Sequence, residues 1–354
     1  YLLISLGVIP IIILIYFLFP RYELNIKLFD STKNNLGIPE KLELGSFTDI
    51  SNNQDVVFLY NNNIKKGQDA IYFRVKIFDL MDTNKTWVTT PSKTLNMKFS
   101  NDYEIIKSNI TSNKKHKLII YPNDKNWLPV LKKFKYESFS VSNDYLSGTA
   151  ESKKKLNKKK SYSIVPYKLD ISYNDNFLQF YKKLPPVFSE KLINWSNEIK
   201  TKSKSDLDYL KNLMSYFGNG DYFYNLSPVI NKRNDYEEFF FKNKSGYCEY
   251  YAGMLTILAR LQGIPARIVT GYLGGQYNEL GNFYTFKQSD AHSWVEVYFK
   301  DKGWVSFDPT LAIPNKNIVS FNNTSLERLQ SNNINNNNKI SKIGLIKLYY
   351  NYFD

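Results

Sequence analysis

The segment from Ser245 to Arg267 constrains the fold most, because it predicts a helix that only a packed core can accommodate. Apolar and aromatic residues recur three and four positions apart, as they do on the buried face of a helix. These residues are Tyr251, Met254, Leu255, Leu258 and Leu261. Gly263 follows as a C-cap, with Pro265 just beyond it. We therefore predict a largely buried helix over residues 248–262.

The one cysteine of the chain, Cys248, lies in the first turn of this predicted helix. Backbone N–H groups and the helix dipole favour the thiolate there, and they can also stabilise an oxyanion on an attacked carbonyl. A single cysteine excludes an internal disulfide, and with two histidines it argues against a structural zinc site. A lone cysteine is usually a small buried apolar residue. Cys248 is nevertheless a candidate nucleophile because of its position.

A predicted β-hairpin supplies a candidate base. Alternation along residues 289–299 places His292 and Trp294 on one face of a strand and Val295 on the other. Residues 300–302 form a short loop, and Asp308 lies on the next strand, where it can orient the imidazole and stabilise its charged form. The other histidine, His116, lies in the polar, surface-like run NKKHK, and we assign it no role.

The register of the hairpin decides whether His292 and Asp308 can meet. If Phe299 opposes Gly303, the two residues are diagonal neighbours on one face, about 7–8 Å apart at the backbone. A shift of two positions would place them directly opposite each other. A shift of one position would place them on different faces and exclude the pair.

The rest of the chain divides by composition. From Tyr22 to about Tyr167, short β-branched and aromatic runs alternate with Asn, Asp, Gly and Ser clusters, which predicts an all-β sandwich or small barrel. Helical periodicity begins near Pro185, with helices predicted over 189–200 and 205–218. The predicted plan is a transmembrane helix at 1–20, a β-rich module at 21–170, a catalytic domain at 171–314, an Asn-rich linker at 315–342 and an amphipathic helix at 343–354.

Residues 1–19 are uncharged and apolar. As a helix they would span roughly 28 Å, about the thickness of a bilayer's hydrocarbon core. A signal peptide would have a basic start and a shorter apolar core, and a buried helix of a soluble core is a further alternative. The absence of an initiator Met suggests that the chain begins inside a longer protein. The lysines after this run favour a cytoplasmic side, but large domains cross membranes despite their charge.

The net charge of +14 suggests an anionic partner. Only 6 of the 47 basic residues are Arg, the residue that base edges and phosphates favour, so we predict no nucleic-acid binding. Attraction to anionic lipid or an acidic cell-wall polymer is the alternative use of the charge.

Four motifs carry a family resemblance: GYCEYYAGML, GIPARIVTGY, QSDAHSWVEVYF and GWVSFDPT. Together they resemble the bacterial membrane-bound branch of the transglutaminase-like superfamily, whose fold is related to papain-like thiol proteases. The similarity is specific from about Pro185 to Thr310 and looser over residues 20–170. It implies an α+β fold in which a nucleophile helix packs on an antiparallel sheet, preceded by a β-rich module and a membrane helix.

The resemblance also implies an activity. Cys248 would be the nucleophile, His292 the general base and acid, and Asp308 its orienting partner, in a protein-glutamine gamma-glutamyltransferase that acts through a thioester. Its substrates would be glutamine-containing proteins or peptides and amine donors. A cysteine protease or cell-wall amidase with the same triad is one alternative, and a non-catalytic envelope scaffold is another.

Three further expectations belong to this hypothesis. Tyr247, Tyr250 and Trp294 are the candidate substrate contacts, and one of Tyr247, Glu249 and Tyr250, which flank the nucleophile, is expected to shape the oxyanion site. We predict no cofactor and no metal, since no acidic cluster marks a calcium site. The catalytic domain is expected on the periplasmic or extracellular side of the bacterial cytoplasmic membrane.

Overall fold

A computed structural model describes residues 37–61, 71–226, 228 and 235–319. None of the helices within these ranges is long and apolar enough to cross a membrane. The predicted membrane helix at 1–20 and amphipathic helix at 343–354 lie outside the described residues, as does most of the predicted linker. The first linker residues, 315–319, form a 3-10 turn and a short strand instead.

The described residues form twenty strands and six α-helices. The strands are β1 Val56–Asn61, β2 Tyr72–Phe78, β3 Leu80–Met81, β4 Trp87–Val88, β5 Tyr103–Ile110, β6 His116–Ile120, β7 Trp127–Leu128, β8 Val130–Leu131, β9 Phe134–Tyr136, β10 Val141–Asp144, β11 Thr149–Ser152, β12 Lys160–Tyr173, β13 Phe223–Asn225, β14 Ser245–Gly246, β15 Ala266–Leu273, β16 Gln276–Asn278, β17 Phe283–Lys287, β18 Ala291–Phe299, β19 Gly303–Phe307 and β20 Ile318–Val319. The helices are α1 Ser92–Phe99, α2 Asp175–Phe180, α3 Glu190–Thr201, α4 Asp206–Asn219, α5 Tyr236–Glu238 and α6 Cys248–Leu261.

A five-stranded sheet in the order β19-β18-β15-β2-β8 carries the candidate site. All residues of β2 and β15 are buried, because neighbouring strands flank both and other elements cover both faces. Strand β2 belongs to the predicted β-rich module, and β15, β18 and β19 belong to the predicted catalytic domain. The boundary near residue 171 stays a prediction, and strands from both sides of it share this sheet.

A second sheet of seven strands follows the order β16-β17-β1-β6-β12-β5, with β9 also paired to β12. It again combines strands from both sides of residue 171. His116 starts β6, which lies between β1 and β12, and its side chain is buried 2.6 Å from the Tyr60 hydroxyl. The expectation of a surface-exposed His116 was therefore wrong, because the polar sequence around His116 gave no indication that a central strand begins there.

The predicted helices form with small shifts at their ends. Ser189 and Ser205 cap α3 and α4, each accepting a bond from the backbone N–H three residues on. Helix α4 ends at Asn219, one residue beyond the predicted end at residue 218, and its C-cap is Gly220. Helix α6 ends one residue earlier than predicted, and Gly263 adopts a left-handed φ of 67° that favours glycine.

Helix α6 packs on β15 and β18 and brings Cys248 to the sheet. Every residue from Cys248 to Arg260 is buried, and the apolar ones join the main core with Val295 and Val297. The hairpin of β18 and β19 has the predicted register, since Phe299 opposes Gly303 and Val295 opposes Phe307. His292 and Asp308 therefore lie on the same face of the sheet.

Candidate active site

His292 and Asp308 meet in a direct hydrogen bond. The Nε2 atom of His292 lies 2.7 Å from Oδ2 of Asp308, and both side chains are almost fully buried. Because Nε2 is engaged by Asp308, Nδ1 is the ring nitrogen that remains for a reacting group. His292 is the second residue of β18, and Asp308 directly follows β19. The predicted register of these two strands therefore brings the imidazole to the carboxylate.

The carboxylate of Asp308 is saturated with donors. Its Oδ2 also accepts from the Tyr72 hydroxyl at 2.8 Å, while its Oδ1 accepts from the Thr310 backbone at 3.0 Å and the Thr310 hydroxyl at 2.6 Å. Burial alone would raise the pKa of Asp308, but the His292 charge and the bonds from His292, Thr310 and Tyr72 lower the pKa below its usual value. Asp308 is therefore ionised near neutral pH.

Cys248 starts α6, as predicted, and its side chain is fully buried. The thiol donates to Oε2 of Glu249 at a sulfur–oxygen distance of 3.6 Å. Burial, followed by the Glu249 charge, raises the pKa of Cys248 well above its ordinary value, although the neighbouring Ser293 partly opposes this shift. The expectation that the helix terminus favours a thiolate was wrong for this conformation, because desolvation and a nearby carboxylate outweigh the dipole.

The three sequence-predicted residues do not form one continuous hydrogen-bond chain in this structure. His292 is bonded to Asp308, whereas Cys248 is bonded to Glu249, and His292 is not among the hydrogen-bond partners of the sulfur in the described structure. Ser293 adjoins the sulfur, and its hydroxyl and backbone are what lower the pKa of Cys248 in part. Asp308 is near enough to the sulfur for its charge to raise the pKa of Cys248. In this conformation the raised pKa of Cys248 favours the protonated thiol.

Two family models match most of the chain. The model of the transglutaminase-like superfamily matches residues 193–309, which contain Cys248, His292 and Asp308, and the model of the TgpA N-terminal domain matches residues 1–171. The chain belongs to the bacterial transglutaminase-like family. The predicted resemblance is thereby confirmed.

Two curated relatives of the family show similarity over different lengths. The uncharacterized protein YebA of Bacillus subtilis (strain 168) is 26% identical over 283 residues, which cover 71% of this chain and 38% of YebA. A protein-glutamine gamma-glutamyltransferase of Pseudomonas aeruginosa is 40% identical over 101 residues, which cover 28% of this chain and 15% of the relative. The chain thus spans less than half the length of either relative.

The fold of this family member also matches a solved structure, the periplasmic domain of TgpA from Pseudomonas aeruginosa. The TM-score is 0.66 at 21% identity, over 78% of this chain and 94% of that one. The same domain bound to ethylmercury gives a TM-score of 0.68 over 79% and 98%. The predicted α+β, papain-like transglutaminase fold is confirmed by these similarities.

The three candidate substrate contacts of this family member are all buried. Trp294 stacks near the His292 ring, with centroids 6.4 Å apart at an interplanar angle of 17°. The Tyr247 ring lies 5.0 Å from that of Tyr224, and the Tyr250 ring lies 5.3 Å from that of Phe239. Their roles as substrate contacts stay predictions.

Sequence reasoning missed Tyr72. This residue starts β2, in the part of the chain matched by the TgpA N-terminal domain model, yet its hydroxyl reaches Asp308. The available signal was a tyrosine in a run with a strand-like sequence, since a buried hydroxyl needs a partner. Which partner it finds depends on the pairing of β2 with β15, and local sequence does not specify that pairing.

Glu249 is the second carboxylate of the site. It is fully buried, its Oε1 accepts from the Gly45 backbone at 3.0 Å, and its Oε2 faces the sulfur. Burial raises the pKa of Glu249 to about 7, although backbone bonds from Glu249, Gly45 and Phe47 and the Cys248 thiol lower it in part. The described residues contain no group of three or more His, Cys, Asp or Glu that could hold a metal, and metal independence stays a prediction.

Proposed function

We propose that this chain catalyses thiol-dependent acyl transfer on glutamine side chains, with Cys248 as nucleophile, His292 as general base and acid, and Asp308 as the residue that orients His292. The observation that carries this proposal is the 2.7 Å bond between His292 and Asp308 beside a helix that starts at Cys248. An ionised carboxylate on Nε2 fixes the tautomer whose Nδ1 can accept the thiol proton. Family membership supports the same chemistry.

The reaction begins with a rotation of the Cys248 side chain from Glu249 towards Nδ1 of His292. His292 takes the thiol proton while the sulfur attacks the carboxamide carbon, and the tetrahedral intermediate then expels ammonia with a proton from His292. The resulting thioester is attacked by an amine, whose proton passes to His292, and the thiol is regenerated. The backbone N–H of Cys248, the first residue of α6, would donate to the oxyanion.

Thiol alkylation tests the base directly, because iodoacetamide can modify only one cysteine in this chain. We expect His292→Gln to slow the alkylation of Cys248 near pH 7 at least about tenfold, the low end of a typical contribution from general base catalysis. His116→Gln is the matched control, since it changes the other histidine, which is also buried and hydrogen-bonded. Equal rates in the wild type and both variants would favour the non-catalytic scaffold.

Acyl transfer is tested by incubating the protein with a labelled primary amine and a glutamine-rich protein. We expect amine incorporation and ammonia release in equal amounts, and neither with Cys248→Ala. If Cys248 is alkylated faster in the wild type than in His292→Gln but no ammonia is released, Cys248 is supported as the nucleophile and glutamine is rejected as the substrate.

Hydrolysis is a second candidate, and the burial of Cys248 favours it. A sulfur with no exposed surface restricts the second substrate, and water reaches such a site more easily than a lysine side chain does. A protease or cell-wall amidase would use the same thioester with water as acceptor. Ammonia release or peptide cleavage without amine incorporation would identify this activity.

We also propose that the catalytic region lies outside the cytoplasm and that residues 1–20 anchor it to the membrane. The crystallised TgpA relative is described as a periplasmic domain, and residues 1–19 are uncharged. A cysteine introduced at the fully exposed Phe139, in a Cys248→Ala background, can be probed with an impermeant maleimide. Labelling of intact cells is the expected result, and labelling only after permeabilisation would contradict it.

A further inference from the structure

We propose that Tyr72 is a positioning residue of the reaction, which acts on His292 through Asp308. The inference rests on the proposed function, in which Asp308 orients the base. Tyr72 donates to Oδ2 of Asp308 at 2.8 Å, and Oδ2 is the oxygen that His292 Nε2 contacts at 2.7 Å. One carboxylate oxygen therefore carries both the imidazole and the tyrosine hydroxyl.

The hydroxyl of Tyr72 is not needed for packing. The ring belongs to a buried apolar cluster on the His292 face of the sheet, and phenylalanine would fill the same space; this cluster is Tyr72, Ile77, Val269, Leu273 and Trp294. The ring lies 5.2 Å from the Trp294 ring and 6.2 Å from the His292 ring, both edge-on. The hydroxyl instead reaches across the sheet to a carboxylate more than two hundred residues away.

Charge distribution explains what this bond does. A donor on Oδ2 withdraws part of the negative charge that would otherwise face the imidazole, and it also prevents that oxygen from rotating away. Thr310 holds the other oxygen, so Tyr72 and Thr310 together fix the carboxylate plane. The bond therefore limits how strongly Asp308 stabilises the imidazolium. It also holds the ring in the orientation in which Nδ1 can accept the thiol proton.

The bond makes the site composite. Tyr72 lies in the region matched by the TgpA N-terminal domain model, whereas Asp308 lies in the region matched by the transglutaminase-like model. Strand β2 can present Tyr72 because it pairs with β15, with Tyr72 opposite Leu273. At Gly271 the backbone of β2 comes so close that an added Cβ would lie 1.8 Å from the Phe73 carbonyl oxygen. The first region thus contributes a side chain to the chemistry of the second.

The test compares Tyr72→Phe with Tyr60→Phe in the whole chain. Both changes remove one buried tyrosine hydroxyl, and Tyr60 is a matched control because its hydroxyl lies 2.6 Å from the other histidine, His116. We expect Tyr72→Phe to lower the rate of Cys248 alkylation and of acyl transfer about tenfold. Tyr60→Phe is expected to leave both rates within about twofold of the wild type.

A second readout separates positioning from folding. The pH profile of Cys248 alkylation can be measured in the wild type and in both tyrosine variants. Tyr72→Phe concentrates charge on Oδ2 of Asp308 and stabilises the imidazolium, so the acid limb of this profile should move to higher pH, whereas Tyr60→Phe should leave it in place. A merely structural role would reduce the amplitude and leave that limb in place.

The outcomes are distinct. A slower rate together with a shift of the acid limb to higher pH in Tyr72→Phe supports the proposal. The same shift supports it even if the protein transfers no acyl group, in which case only the acyl-transfer function is rejected. An unchanged acid limb in Tyr72→Phe overturns the proposal whatever happens to the rate. A loss of rate that only parallels the loss of folded protein also overturns it.

Discussion

Two fully buried carboxylates lie at the two ends of the candidate site, and they behave in opposite ways. Asp308 beside His292 has a lowered pKa, whereas burial raises the pKa of Glu249 beside Cys248 to about 7. Burial acts in the same direction on both groups. The difference is in their partners, since Asp308 contacts the His292 ring nitrogen and three hydroxyl or amide donors, while Glu249 receives amides and a weakly donating thiol.

The comparison shows that the site is half prepared. Asp308 is ionised and fixed in place beside His292, whereas the Cys248 thiol is protonated and held on a carboxylate that favours its neutral form. Under the proposed function, activation requires the thiol to exchange Glu249 for His292, and the two ends should therefore respond differently to loss of their carboxylates.

The largest expected effect is at the base end. Asp308→Asn keeps the size of the side chain but turns an N–H group towards Nε2 of His292, which forces the proton onto Nδ1 and blocks it as a base. We expect the rate of acyl transfer to fall by about 10³–10⁴-fold. Steady-state ammonia release measures it, and Asn123→Asp, a change of the same two residue types in a loop, is the control. A decrease below about tenfold would mean that Asp308 does not orient the base.

Sequence patterns predicted this end of the site well, because its geometry is local. The alternation of residues in 289–308 and the short loop fix the register, and the register brings His292 to Asp308. The protonation state of Cys248 and the bonds from Tyr72 and Gly45 depend on distant segments that fold over the site. The position of Cys248 in a helix predicts that the helix dipole lowers the pKa of the thiol. It does not predict how far burial and a neighbouring carboxylate raise that pKa.

A third buried carboxylate, Glu296, tests whether the charge of a partner decides the pKa. It contacts Arg74, and its Oε2 accepts from Arg267 at 3.0 and 2.8 Å. Burial alone would raise the pKa of Glu296, but Arg74, Arg267 and Lys132 lower it to about 2. Its stabilising effect is therefore present above the unfolded pKa and is lost as the pH falls towards about 2.

We expect Glu296→Gln to lower the free energy of unfolding by about 3–5 kcal/mol near pH 7, because it leaves two buried guanidinium groups without a counter-charge. Urea unfolding followed by circular dichroism measures this change. The control is Glu151→Gln, which removes an exposed carboxylate and should change stability by less than about 0.5 kcal/mol. Similar losses in both variants would show that the buried cluster contributes little.

Glu249→Gln should have a smaller effect, with the opposite sign at high pH. The folded pKa of about 7 exceeds the usual value of 4.5, so the folded state binds the proton more tightly and wild-type stability falls as the pH rises through this window. Glu249→Gln has no carboxyl group at this position and does not lose stability in this way. The free energy of unfolding of the variant minus that of the wild type should therefore rise by about 3 kcal/mol from pH 4 to pH 8.

The same variant should change the thiol. Loss of the Glu249 charge lowers the pKa of Cys248, so alkylation near pH 8 should accelerate roughly threefold to tenfold. Unfolding at several pH values and alkylation by mass spectrometry are independent measurements. A stability difference that does not vary with pH would show that Glu249 is not protonated in the folded protein.

The smallest expected effect is at Glu40, a carboxylate with two cationic partners and a side chain that is 63% exposed. Its oxygens lie 2.9 Å from Lys76 Nζ and 2.8 Å from Lys125 Nζ. Burial alone would raise the pKa of Glu40, but the bonds from Lys125 and Lys76 lower it, so its stabilising effect is present above the unfolded pKa and is lost in acid.

Solvent screens these charges, and we expect Glu40→Gln to lower the free energy of unfolding by less than about 1 kcal/mol near pH 7, with most of that loss absent in about 1 M salt. Urea unfolding at low and high salt measures it. A salt-independent loss as large as that of Glu296→Gln would show that exposure does not separate the two carboxylates.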